Sequence, residues 1–103
     1  MGKRISWQPK PVRQMEALER YFREELGTVQ AFEHFLEKLD AKLTRISNYP
    51  ESGHFTGRKN VRYVQIDKQR NLFYRVRRDH LQILLLWDVR QDPVKNPYLR
   101  TGR

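Results

Sequence analysis

The chain contains no cysteine, which excludes disulfides, thiolate nucleophiles and cysteine-ligated zinc. Histidine is almost as scarce: His34, His54 and His80 fall in a predicted helix, loop and turn without metal-ligand spacing. No Walker glycine loop or dinucleotide fingerprint is present either, so neither a metal nor a nucleotide cofactor is expected. The longest apolar run, Ile83 to Trp87, falls far short of the roughly 20 residues a spanning helix needs. Met1-Gly2-Lys3-Arg4 leads into no apolar stretch of signal-peptide type. The expectation is a cytoplasmic protein without membrane association. Five glycines and five prolines are too few and too scattered for a linker or low-complexity tract, and no internal repeat is visible.

What remains is 103 residues, 38% hydrophobic and 32% charged, a length that predicts one folded domain over residues 1–103. The net charge of +9 is unevenly placed. Residues 1–14 carry four basic and no acidic groups, residues 15–41 three basic and seven acidic, and residues 42–103 fourteen basic and five acidic. The excess of positive charge in the C-terminal part points to an acidic partner: nucleic acid, an acidic protein or an anionic surface.

Arg4 to Trp7 alternates polar with apolar and precedes Pro9 and Pro11, which predicts a short strand followed by a helix beginning near Lys10. Val12, Met15, Leu18, Tyr21 or Phe22 and Leu26 recur at helical spacing up to Gly27. Thr28 then reads as the N-cap of a second helix with Val29, Phe32, Leu36, Leu39, Leu43 and Ile46 on its apolar face, broadened by Phe35. Asn48-Tyr49-Pro50-Glu51-Ser52-Gly53 stops that helix, and a loop is expected through Lys59. Val61 to Ile66, Leu72 to Arg78 and Leu81 to Asp88 have strand composition and hairpin-length links. The order β-α-α-β-β-β predicts an α+β fold, a helical hairpin packed on one face of an antiparallel sheet with the N-terminal strand at its edge.

The last strand is apolar on both alternating faces, Leu81, Ile83, Leu85 and Trp87 on one and Leu84 and Leu86 on the other. One face meets the helices; the other is either covered by residues 89–103 or left as a groove. In the neighbouring strand the alternation places Phe73 with Arg75 and Arg77. An apolar floor edged by arginine suits a partner segment with apolar and acidic residues.

Arg58, Lys59, Arg62, Tyr63, Arg75, Arg77, Arg78 and Arg90 form the basic and aromatic set of the predicted sheet. Cations of this kind stabilise charge developing on phosphorus, and a tyrosine, histidine or glutamate moves the proton of a 2′-hydroxyl. The sequence places no clear proton-transfer group beside the cations, so phosphate binding or contact with an acidic protein is equally served. Glu24-Glu25 and Glu33 with Glu37 read as solvated helix faces beside Arg20, Arg23 and Lys38 rather than as acid/base pairs.

Several strings, in this order, resemble the RelE/ParE superfamily of toxin-antitoxin toxins over about residues 4–93, with 94–103 as a tail. They are Ile5-Ser6-Trp7 before a helical hairpin, Tyr49-Pro50-Glu51-Ser52-Gly53, Val61-Arg62-Tyr63, Phe73-Tyr74-Arg75-Val76, and Ile83 through Pro93. The Pro-Glu-Ser-Gly loop and the Tyr-Arg-Val strand are similar to the ParE branch. The RelE branch cleaves mRNA on the ribosome with strand lysines, two arginines and a C-terminal tyrosine. Its lysine sites fall near Tyr63 and Gln65 and its strand-start arginine near Asn71, while Arg90 matches the later arginine and Tyr98 lies in the region of the tyrosine. ParE-like toxins instead bind and poison DNA gyrase.

The resemblance implies a toxin that acts by binding, with DNA gyrase as target and a cognate antitoxin as partner in a hetero-oligomer. Phe73, Arg75, Arg77, Leu84, Leu86 and Arg90 are the residues expected to contact target or antitoxin. The alternative is a ribosome-dependent mRNA endonuclease using Arg62, Tyr63, Arg75, Arg90 and Tyr98; a third reading is a basic nucleic-acid-binding module. Phe32, Leu36, Ile83 and Trp87 are expected to serve stability.

Overall fold

Pro9 sits in the first turn of the first helix, where a missing N–H forfeits no intrahelical bond. The computed structural model describes residues 2–99. Strand β1 (Arg4–Trp7) leads directly into α1 (Pro9–Glu24), and α2 spans Val29–Asn48. Between the helices Gly27 takes φ +64°, a left-handed conformation that a side chain would oppose. The first helix therefore ends three residues earlier than Gly27 suggested. Thr28 caps α2 as expected, its hydroxyl accepting from the Ala31 N–H.

Four more strands follow: β2 (His54–Phe55), β3 (Val61–Gln65), β4 (Arg70–Val76) and β5 (His80–Asp88). They form one mixed sheet in the order β1-β5-β4-β3-β2, with β1 parallel to β5 and the other pairs antiparallel. The fold is the α+β arrangement the element order predicts, both helices lying on one face of the sheet. β2 is an addition, a two-residue strand inside the stretch expected to be loop. It pairs His54 with Tyr63 and Phe55 with Arg62.

The main core lies between helices and sheet. Phe22, Phe35, Leu39 and Ile46 from the helices meet Val64, Leu72, Tyr74, Leu81, Ile83 and Leu86 from the strands. Burying a side chain such as Ile83 or Leu72 contributes about 1.5–3 kcal/mol. The predicted stripe of α2 is rotated: Phe35 is its buried centre, Phe32 is half-buried, and Val29 and Leu36 are 60% and 38% exposed. Phe32 and Phe35 stack on each other and both pack at a tilt against Phe22, so the hairpin closes around that ring and turns Leu36 outward.

The face assignment in β5 needs correction. Register shifts between Phe73 and Tyr74, where Phe73 pairs with Leu85 and Tyr74 with Ile83, leaving Leu84 as the extra residue of a β-bulge. Parity reverses there. Leu81, Ile83 and Leu86 belong to the helix-side core, whereas Leu84, Leu85 and Trp87 join Val61 and Phe73 on the opposite face.

Candidate functional site

That opposite face is built from alternate residues of three strands: Val61, Tyr63 and Gln65 in β3, Asn71, Phe73 and Arg75 in β4, and Gln82, Leu84, Leu85 and Trp87 in β5. No acidic residue occupies any of these positions. Four rings run across it at a slant: His54 lies 5.0 Å from Tyr63, Tyr63 5.0 Å from Phe73, and Phe73 6.3 Å from Tyr98, measured between ring centres. Cross-strand pairs of this kind contribute roughly 0.2–1 kcal/mol each.

Tyr98 and Leu99 settle the choice between groove and cover. They pack on Val61, Phe73, Leu84, Leu85 and Trp87, so the apolar floor is closed. Val61 and Phe73 are fully buried. Phe73, Leu84 and Leu86 are consequently not an open contact surface, and Leu86 belongs to the other face altogether. Among the described residues the backbone hydrogen bonds of residues 92–99 stay within that segment: Lys95 N–H to Asp92, Asn96 N–H to Pro93 and Leu99 N–H to Asn96. Val94 N–H adds a bond to Asp92 Oδ1 and Tyr98 N–H one to Asn96 Oδ1. Side-chain packing holds the tail to the sheet. Asn96 is buried, with its Nδ2 unpartnered among the described residues.

The five nuclease candidates do not converge. Tyr63, Arg75 and Tyr98 share the face just described, Arg75 standing opposite Val61 one alternation from Tyr63. Arg62 points the other way, as a neighbour in a strand must. Its Nη1 donates to the Gly53 carbonyl at 2.9 Å, and its guanidinium lies over the Phe55 ring. Arg90 is elsewhere again, beside α1 in a cleft lined by Gln14, Tyr21, Arg70 and Asp88. Two of its nitrogens donate to Asp88 at 3.0 and 2.7 Å, and its N–H caps the same carboxylate. These bonds hold the Asp88 carboxyl down at about 2. Arg90 therefore does not border the face that carries Arg75.

Sequence reasoning missed two residues. His54 reaches Tyr63 through the short strand β2, a pairing two residues long that leaves no periodic signal. Arg70 is only 12% exposed at its side chain, stacked over Phe22 and Phe35 and paired with Asp67 at 3.3 Å.

The strongest positive feature is one end of the sheet. β3 begins there, β4 ends there, and β5 and β1 begin there, which gathers Arg58, Lys59, Arg75, Arg77, Arg78, Lys3 and Arg4. Asp79 is the acid in that hairpin, taken up by His80 at 2.8 Å and Arg4 at 3.8 Å. The hydrogen bond from His80 chiefly lowers its pKa. Such a rim attracts anionic groups of either protein or nucleic acid. No helix among the described residues is long and apolar enough to cross a membrane. The chain matches no protein-family model and no curated protein, so its functional reading rests on these residues and their geometry.

Proposed function

We propose that the protein is the toxin of a type II toxin-antitoxin pair, inhibiting growth in the cytoplasm by binding a cellular target and silenced by an acidic cognate antitoxin. DNA gyrase is the target that the resemblance to the ParE branch implies. The observation that supports binding over cleavage is the dispersal of Arg62, Arg90 and the Tyr63–Arg75–Tyr98 group to three separate places. Metal-independent phosphoryl chemistry needs its cations and its proton-transfer group around one reacting atom. The cationic end of the sheet, by contrast, suits association with an acidic surface.

One observation favours the endonuclease as second reading. His54 packs against Tyr63, and Tyr63 is the diagonal cross-strand neighbour of Arg75 on an acid-free face, so a tyrosine hydroxyl shares that face with a cation.

The test is induction of the chain alone in a bacterial host, with colony counts and pulse labelling of DNA and protein synthesis. Early arrest of DNA synthesis with filamentation supports the gyrase reading. Early arrest of protein synthesis with transcripts cut within codons replaces it with the endonuclease. Unimpaired growth, with salt-sensitive binding of nucleic acid by the purified chain, replaces both with a binding module.

A further inference from the structure

The Tyr49–Gly53 loop is the motif that the reading above leaves unused, and it forms one wall of a surface cleft. We propose that this cleft, between the C-terminal end of α2 and the β4–β5 hairpin, docks an acidic peptide segment of another protein through a short apolar anchor. It has a volume of about 670 Å³ and is lined by Lys3, Arg45, Tyr49, Pro50, Glu51 and Val76 among others.

Three features make it a receptor. The wall is rigid, because Tyr74 Oη donates to the Pro50 carbonyl and accepts from the Gly53 N–H, while Arg62 donates to the Gly53 carbonyl. A preformed wall avoids the ordering cost that weakens docking on mobile loops. On that fixed wall Tyr49 is 68% exposed, an aromatic of the type that anchors interfaces, next to the apolar surface of Pro50 and Val76.

Charge selects the partner. Arg45 has no ion-pair partner among the described residues, and Lys3 bonds only backbone, its Nζ donating to the carbonyls of Arg77 and Arg78. On the lining Arg45 and Lys3 stand against a single carboxylate, Glu51, while the Arg77 guanidinium turns away to Gln82 on the other face of the sheet. The end of α2 would repel an anion through its free carbonyls, but two of them are already taken, Arg45 O by the Tyr49 N–H and Ser47 O by the Lys3 N–H. A peptide with a short apolar anchor between carboxylates matches this surface. A purely polyanionic ligand leaves Tyr49 and Val76 unused.

This inference does not rest on the toxin reading, and its test has no growth readout, so the two fail separately. The probe is a fluorescein-labelled peptide, Glu-Glu-Asp-Leu-Trp-Glu-Glu, followed by anisotropy and by amide chemical-shift mapping on the full chain. A control peptide carries serine at both apolar positions. Expected are saturable binding with shifts around Lys3, Arg45, Tyr49 and Val76, a weaker serine control, and about tenfold weaker binding for both Arg45→Glu and Tyr49→Ala. Both side chains are exposed, so circular dichroism should show both variants folded. Equal binding of the serine control, shifts confined to other surfaces, or unchanged affinity in both variants overturns the proposal. So does tighter capture of a dT20 oligonucleotide at the same residues, or a concentration-dependent dimer that buries them.

Discussion

The hydroxyl of Tyr74 donates to the carbonyl of Pro50 at 2.6 Å across 24 residues of sequence, tying the loop after α2 to the middle of the sheet. The Tyr74 hydroxyl oxygen in turn accepts from the Gly53 N–H at 3.1 Å. Burial is the main reason the phenol's pKa lies above its ordinary value, so it stays a neutral donor. Removing it in Tyr74→Phe leaves both backbone groups without that partner and should destabilise the fold by about 1–3 kcal/mol. Urea denaturation should show a lower midpoint with an unchanged slope.

Gly53 has ordinary backbone angles, but a Cβ there would collide with Tyr74 Oη and crowd the Tyr63 carbonyl. Gly53→Ala should therefore destabilise as well. Combined with Tyr74→Phe, which removes the closest of the three atoms in its way and leaves the ring edge and the Tyr63 carbonyl, it should cost less than the sum of the single changes. Strict additivity in denaturation would show that the Tyr74 hydroxyl is not the contact the glycine avoids.

The Asp88 carboxyl titrates at about 2 instead of its ordinary 3.8, chiefly through the side chain of Arg90. With the folded pKa below the unfolded one, the unfolded chain binds more protons between these values, so stability falls as pH drops from about 4 to 2. Carbon-detected titration should return Asp88 towards the ordinary carboxylate value in Arg90→Gln and flatten that part of the acid limb. Growth inhibition should survive the same substitution, since Arg90 is engaged beside α1.

If Tyr98 and Leu99 cover the second face, replacing both with alanine in a Trp7→Phe background should expose Trp87. Its emission should shift to the red and acrylamide quenching should rise. An unchanged spectrum would mean that the cover is supplied by other residues.

Ile83→Ala should cost about 2–5 kcal/mol because its site is fully buried. Leu36→Ala should cost less than about 1 kcal/mol, since that side chain is 38% exposed. Thermal denaturation of the pair distinguishes the rotated α2 stripe seen here from the one its periodicity suggests.

Local periodicity was enough to read the element order, the helical hairpin and the three-stranded meander, because helix and strand spacing are imposed by the nearest turns of backbone. Thr28 as a cap and Arg4–Trp7 as a strand were legible for the same reason. The bulge at Leu84 was not, since every residue from Ile83 to Leu86 is apolar and a parity reversal inside such a run leaves no mark. Residues adjacent in the chain, Arg62 and Tyr63, went to opposite faces, and residues far apart, His54, Tyr63, Phe73 and Tyr98, came into one stack. The sequence by itself determined the fold class and a concentration of positive charge. Only the tertiary structure decided that the tail closes the apolar face, that Asp88 occupies Arg90, and that Tyr74 holds a rigid cleft wall, because each depends on pairings between distant segments that no local pattern encodes.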